Sequence, residues 1–211
     1  MGFDLAVPTL VGSLMRVEPL TPDHIDDLVR AAAEDRAAYN FTWVPSSREE
    51  VTEYVATQLD RLQAGELVPF ASLRIADCRA VGSTSYFNFR TLPGASSPYA
   101  VEIGFTWLSA SAQRSGINTE IKLLLLNHAF VEWGMERVDF KTDARNARSR
   151  EALAGIGANF EGILRRWGPS WAPGESGLLR DSAMFSVVSS EWPAVERRLR
   201  ERLRHHSAGR D

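Results

Sequence analysis

The chain has 211 residues, 44% of them hydrophobic and 24% charged, with a formal net charge of -3. That length suits one domain over 1–211 with a sizeable core, and the charge gives no overall attraction to nucleic acid. The longest apolar run, Leu123 to Leu126, is far short of the roughly 20 residues of a membrane span. The N-terminus has no basic segment followed by an apolar one, so a cytoplasmic protein is expected. Cys78 is the single cysteine, which excludes an intrachain disulfide and a cysteine-based zinc site.

In chain order, Ser13 to Pro19 reads as a strand, and Pro22 to Glu34 as a helix with Thr21 at its N-cap and Pro22 at its first position. Ser47 followed by Glu50 is a capping box. It opens a helix in which Val51, Tyr54, Val55, Leu59 and Leu62 recur at helical spacing until Gly65. Pro69 to Ala76, Ala80 to Arg90 and Tyr99 to Leu108 have strand lengths and alternation, separated by turn residues, and predict an antiparallel meander. Thr119 to Trp133 is apolar nearly all round and closed by Gly134, the pattern of a buried helix. Val138 to Thr142 then reads as a strand and Ala147 to Ile156 as a helix capped by Asn146 and stopped by Gly157. Phe160 to Arg166 and Ser182 to Ser189 are two more strands joined by a Pro/Gly-rich loop suited to lining a site. Glu191 to Arg204 is a helix, basic late on, and His205 to Asp211 is expected to be a frayed tail. No internal repeat is present.

Gln113 to Thr119 lies between a strand and the start of the buried helix. Such a loop offers unpaired N–H groups and the positive end of a helix dipole to a phosphate, or else is simply a capped helix start. Gly116 would let the backbone approach a ligand closely, and Arg114 adds a charged donor. No G-x-x-x-x-G-K-[ST], G-x-G-x-x-G, G-x-S-x-G or H-E-x-x-H pattern occurs, and His24, His128, His205 and His206 are scattered. On the strand ending at Leu108, alternation puts Val101, Ile103, Phe105 and Trp107 on one face and Glu102, Gly104 and Thr106 on the other. That second face, small and polar, suits a cleft. Glu102 is there either a general base or the structural partner of an arginine.

Glu102 to Leu108, the loop Gln113 to Asn118, and Lys141 to Ser149, in that order, resemble the GNAT N-acyltransferases, most of all the RimJ/RimL-type branch. The resemblance runs from Met15 to about Trp192 and implies an α/β (α+β) fold. In it a mixed, mostly antiparallel sheet of six to seven strands is flanked by helices and splays at two central parallel strands. It implies an acetyltransferase moving an acetyl group from acetyl-CoA to a primary amine, on a protein N-terminus or a small molecule, by direct attack and without a metal. Pyrophosphate would lie on Gln113, Arg114, Ser115, Gly116, Ile117, Asn118 and Thr119. The family motif Q/R-x-x-G-x-G/A is met except that Asn118 replaces a small residue. Thr106, Trp107 and Leu108 would bond the pantetheine arm and the thioester oxygen, and Asn146 and Ser149 would face them. Where many relatives carry a tyrosine that protonates the thiolate, this chain has Leu153, which leaves Ser149 as the nearest substitute. Tyr39, Phe41 and Trp43 fall where relatives build the acceptor pocket. Homodimerisation is expected from related proteins and from the aromatic loop Arg166 to Trp171. Two other readings stay open: another donor such as succinyl-CoA, and a non-catalytic CoA sensor.

Overall fold

A computed structural model describes residues 3–208, without the side chains of Ala38 and residues 206–208. The strands are β1 (Leu10–Val11), β2 (Met15–Pro19), β3 (Leu67–Arg74), β4 (Arg79–Thr91), β5 (Pro98–Leu108), β6 (Arg137–Asp143), β7 (Asn159–Pro169) and β8 (Leu179–Val188). The helices are α1 (Ile25–Ala32), α2 (Arg48–Gln63), α3 (Ile117–Asn127), α4 (Ala147–Ile156) and α5 (Trp192–Ala208). The strands form one sheet in the order β1-β2-β3-β4-β5-β6-β8-β7. Its neighbours are antiparallel except β5 and β6, which run parallel. The fold class is the expected α/β one.

Two cores flank the sheet. One joins α1 and α2 to Ala71, Leu73, Ala80 and Trp107. The other joins α3, α4 and α5 to Val17, Phe70, Tyr86, Ile103, Phe140 and Phe185. The caps form as their residues dictate: Ser47 Oγ accepts from Glu50 N at 3.2 Å, and Asn146 Oδ1 from Ser149 N at 3.0 Å. The Glu50 carboxylate reaches back to Ser46 N at 2.6 Å rather than to Ser47, so the box closes one residue early.

Several boundaries differ from the sequence reading. The eighth strand, Leu10–Val11, is too short for a periodic signal. It is held because Glu120 of α3 accepts from Ser13 N, Ser13 Oγ, Leu14 N and Met15 N at 2.8, 2.7, 2.7 and 2.6 Å. Pro22–His24 is a separate 3-10 turn ahead of α1. The buried helix starts at Ile117, and beyond Asn127 it widens to a π turn, His128–Glu132. There Trp133 wedges against Tyr86 and His128, each with ring centroids 4.8 Å away. Strand β7 runs on to Pro169, so the loop to β8 shortens to residues 170–178. The expected tail is helical through residue 208, and 209–211 lie outside the described residues. Among the described residues no helix is long and apolar enough to cross a membrane.

Candidate active site

The parallel pair generates the site. Strands β5 and β6 are in register only at Ala100–Arg137, Val101–Val138 and Glu102–Asp139, although each continues beyond, to Leu108 and Asp143. The two strand ends therefore diverge, and a cleft of about 1210 Å³ opens around them. It exposes the backbone groups of β5 that a continuous sheet would have paired.

Strand β5 is itself bulged. Gly104 pairs with Ser85 and Trp107 with Ser83, which leaves Phe105 and Thr106 opposite Thr84 alone, and Phe105 takes φ 49°. Strict alternation over Val101 to Trp107 therefore does not hold. The extra residue puts Trp107 in the α1/α2 core and Leu108 in the α3 core, while Phe105 is turned out and 43% exposed. Gly82 of β4 permits this crossing, because a Cβ there would stand 2.1 Å from Trp107 O.

At the far end of β5, Gly116 is the N-cap of α3 with φ 84°, a left-handed conformation suited to glycine. It brings no side chain to cap the helix, in contrast to Ser47 on α2 and Asn146 on α4. The first N–H groups of α3 point outward with the positive end of its dipole. Gln113 spans the loop, donating from Nε2 to Leu108 O at 2.9 Å and accepting at Oε1 from Arg148 of α4 at 2.8 Å. Gln113, Arg114, Gly116, Asn118 and Thr119 line the cleft. Two of the expected loop residues turn away: Ile117 is buried in the α3 core, and Ser115 Oγ donates to Ala112 O at 2.6 Å. Thr106, Trp107, Leu108, Asn146, Ser149, Tyr39, Phe41 and Trp43 also line the cleft.

Glu102 enters the cleft from β5 and is 5% exposed. Its Oε2 accepts from Asn88 Nδ2 at 2.8 Å, and its Oε1 lies 3.3 Å from Lys141 Nζ on β6. Lys141 in turn sits 5.9 Å from the ring centres of both Phe87 and Trp167. Tyr39 packs edge-on against Trp107, with centroids 6.5 Å apart. Burial first, and then the charge of Glu34, push its phenol up to about 12, so it stays protonated. Trp43 lies against Tyr54 at 5.9 Å.

Three contributors escaped the sequence reading. Lys122 of α3 is 4% exposed and lines the cleft, its Nζ donating to Thr106 Oγ1 at 2.9 Å. Desolvation lowers its ammonium to about 7. A cation inside a helix apolar nearly all round was the available signal. Lys141 carries no signal of its own in the sequence, because its pairing with Glu102 needs the β5–β6 register. The third, Arg145, clasps the rim: it bonds Asp143 at 2.8 Å and Glu175 at 2.7 Å and lies 5.2 Å over the Phe41 ring. Burial acts to raise the Asp143 carboxyl, but hydrogen bonds from Arg145 hold it below its ordinary value. The same guanidinium, with Ser170, lowers Glu175 to about 2. One side chain thus ties the loops after α1 and β7 to the end of β6.

Residues 15–159 match the model of the acetyltransferase (GNAT) domain. The probable N-acetyltransferase YjcK of Bacillus subtilis (strain 168) is 27% identical over 166 residues, 74% of this chain and 87% of that protein. A GCN5-related N-acetyltransferase from Brucella melitensis superposes with a TM-score of 0.77 at 27% identity, covering 92% of this chain and 84% of that one. RimJ of Mycobacterium smegmatis, solved in complex with CoA-disulfide, shares the fold at a TM-score of 0.71 and 21% identity, covering 91% and 90%. The matched domain spans the splayed strands, the α3 loop and the Asn146 cap, and the chain belongs to the GNAT acetyltransferase family and is an acyltransferase.

Proposed function

We propose that the protein transfers an acetyl group from acetyl-CoA to a primary amine, carried by a protein N-terminus or a small molecule, by direct attack in a ternary complex. One observation carries this reading: a single cleft connects the uncapped start of α3 with the diverging ends of β5 and β6. The α3 end suits a pyrophosphate, because N–H groups, helix dipole and Arg114 all favour negative charge there. The bulged β5 edge at Thr106 to Leu108 suits an amide-bearing arm and a developing oxyanion. Asn146 and Ser149 bound the opposite wall.

The amine approaches beside Tyr39, Phe41 and Trp43, where Glu50 and Glu53 also line the cleft and favour a cationic acceptor. Glu102 accepts the proton shed on attack, with Lys141 and Asn88 fixing its carboxylate. The same reading includes a homodimer, supported by exposed Phe160, Ile163 and Trp167 on edge strand β7 and Trp171 beyond it. A cytoplasmic location fits this chemistry.

Calorimetry with acetyl-CoA, followed by thiol release with a panel of amines, tests the proposal. Saturable binding, a raised melting temperature and amine-dependent thiol release are expected. Binding without turnover on any amine would favour a sensor, and no binding at millimolar acetyl-CoA would remove the reading altogether. Turnover with succinyl-CoA but not acetyl-CoA would reassign the donor.

A further inference from the structure

The cleft holds a buried ammonium that the scheme above leaves idle. Lys122 is in the second turn of α3, past the anion-binding end, and reaches the bulge of β5 from the α3 side. Among the described residues its one hydrogen-bond partner is Thr106 Oγ1, which shares a 2.7 Å bond with Thr84 Oγ1. An ammonium has three donors, so a single hydroxyl partner leaves it under-satisfied where charge is costly.

The charged and titratable groups on the elements packed around it are occupied elsewhere. On α3, Glu120 is bound to residues 13–15, and on β2 Glu18 is taken by Arg16 and His24. On β4, Tyr86 donates to Leu125 O, and beyond α3, His128 packs edge-on against Trp133. On β5, Glu102 is paired with Lys141 of β6, and on α5 Arg202 donates to Gly155 O. Among the described residues no carboxylate lies within ion-pair distance of Lys122.

Resting on the acetyl-transfer reading, we propose that Lys122 is the proton donor to the departing coenzyme A thiolate. Thr106 belongs to the β5 edge assigned to the thioester, so Nζ stands beside the bond that must break. The amine nitrogen bonds to the acetyl carbon and sheds one proton to Glu102 or water. The carbon–sulfur bond then breaks with its electron pair passing to sulfur. One Nζ proton moves to that sulfur, and solvent reprotonates the neutral lysine after release. The direction is downhill: the ammonium, lowered to about 7, is a stronger acid than a thiol at about 8.5. The hydroxyls of Thr106 and Ser149 hold their protons far more tightly.

The test compares native protein with Lys122→Met and Lys122→Gln, in acetyl-CoA affinity by calorimetry and turnover from pH 6 to 9. Both variants should bind acetyl-CoA within about threefold of native and lose roughly 10- to 100-fold in kcat, at the low end of acid catalysis because a thiolate leaves readily. The native kcat should fall as pH rises above about 7, and that limb should vanish in both variants. This limb can be read on native protein alone. Its absence, a limb rising through the same range, recovery by Lys122→Gln, or a loss confined to acetyl-CoA affinity would each overturn the assignment. Native protein that binds no acetyl-CoA would instead overturn the acetyl-transfer reading, and this assignment with it.

Discussion

Glu120 and Lys122 stand two residues apart on the same helix, both nearly inaccessible, at 3% and 4% exposure. Their surroundings are opposite. The glutamate receives four short hydrogen bonds from residues 13–15, and the lysine makes one, to a threonine hydroxyl on the cleft wall. Burying a charge is tolerable when donors and acceptors replace its water. Glu120 meets that condition and acts as a rivet between α3 and the first two strands. Lys122 does not, and a charge kept under-satisfied beside a cleft is where proton chemistry is to be sought.

Glu120→Ala should have the largest effect, because it strands three backbone N–H groups together with the Ser13 hydroxyl. A loss of about 3–5 kcal/mol in urea unfolding is expected, and a loss under about 1 kcal/mol would show that residues 13–15 re-solvate easily. Glu102→Gln sharpens the comparison from the other side of β5. As a base it should cost at least about 100-fold in turnover, mainly at or below neutral pH, with acetyl-CoA affinity kept. If Glu102 only anchors Lys141, affinity or stability falls along with rate and the pH profile keeps its shape.

Gly116→Val should weaken acetyl-CoA binding by roughly tenfold or more, because a branched side chain would block the start of α3. Part of its cost appears as stability, since φ 84° is unfavourable for a branched residue. Thermal scans without ligand separate the two effects. Lys122→Met should raise the melting temperature. The lysine binds its proton less tightly folded than unfolded, so the unfolded chain holds more protons between pH about 7 and the ordinary lysine range. The native protein therefore gains stability as pH rises through that window and lacks it at neutral pH and below. Removing the amine should add a few degrees at pH 7, at roughly 2–4 °C per kcal/mol. A lower melting temperature would mean that the amine is better solvated than its single bond indicates.

Local signals were readable wherever the chain acts on itself. Ser47 and Asn146 cap the helices they precede, Gly157 stops one, and Gly116 opens the helix that faces the cleft. Period-two alternation located the long strands but could not reveal the bulge at Phe105. The positive φ there is imposed by pairing with β4 and by the Gly82 crossing. Alternation was therefore right for Glu102 and wrong for Trp107. The loop Gln113 to Thr119 was legible as a unit, but which of its side chains turn inward was not, since Ile117 answers to the core.

The sequence alone thus located most elements, through periodicity and caps acting over a few residues, implied the fold class through its resemblance to the GNAT enzymes, and placed the loop Gln113 to Thr119 at a helix start. Tertiary structure decided the chemistry of the cleft. Glu102 meets Lys141 across 39 residues, Lys122 meets Thr106 across 16, and Arg145 meets Glu175 across 30. Those encounters depend on sheet order, on the register of β5 with β6 and on where the two strands part. Desolvation follows from the same packing, so the lowered ammonium of Lys122 arises only once α3 lies against the sheet.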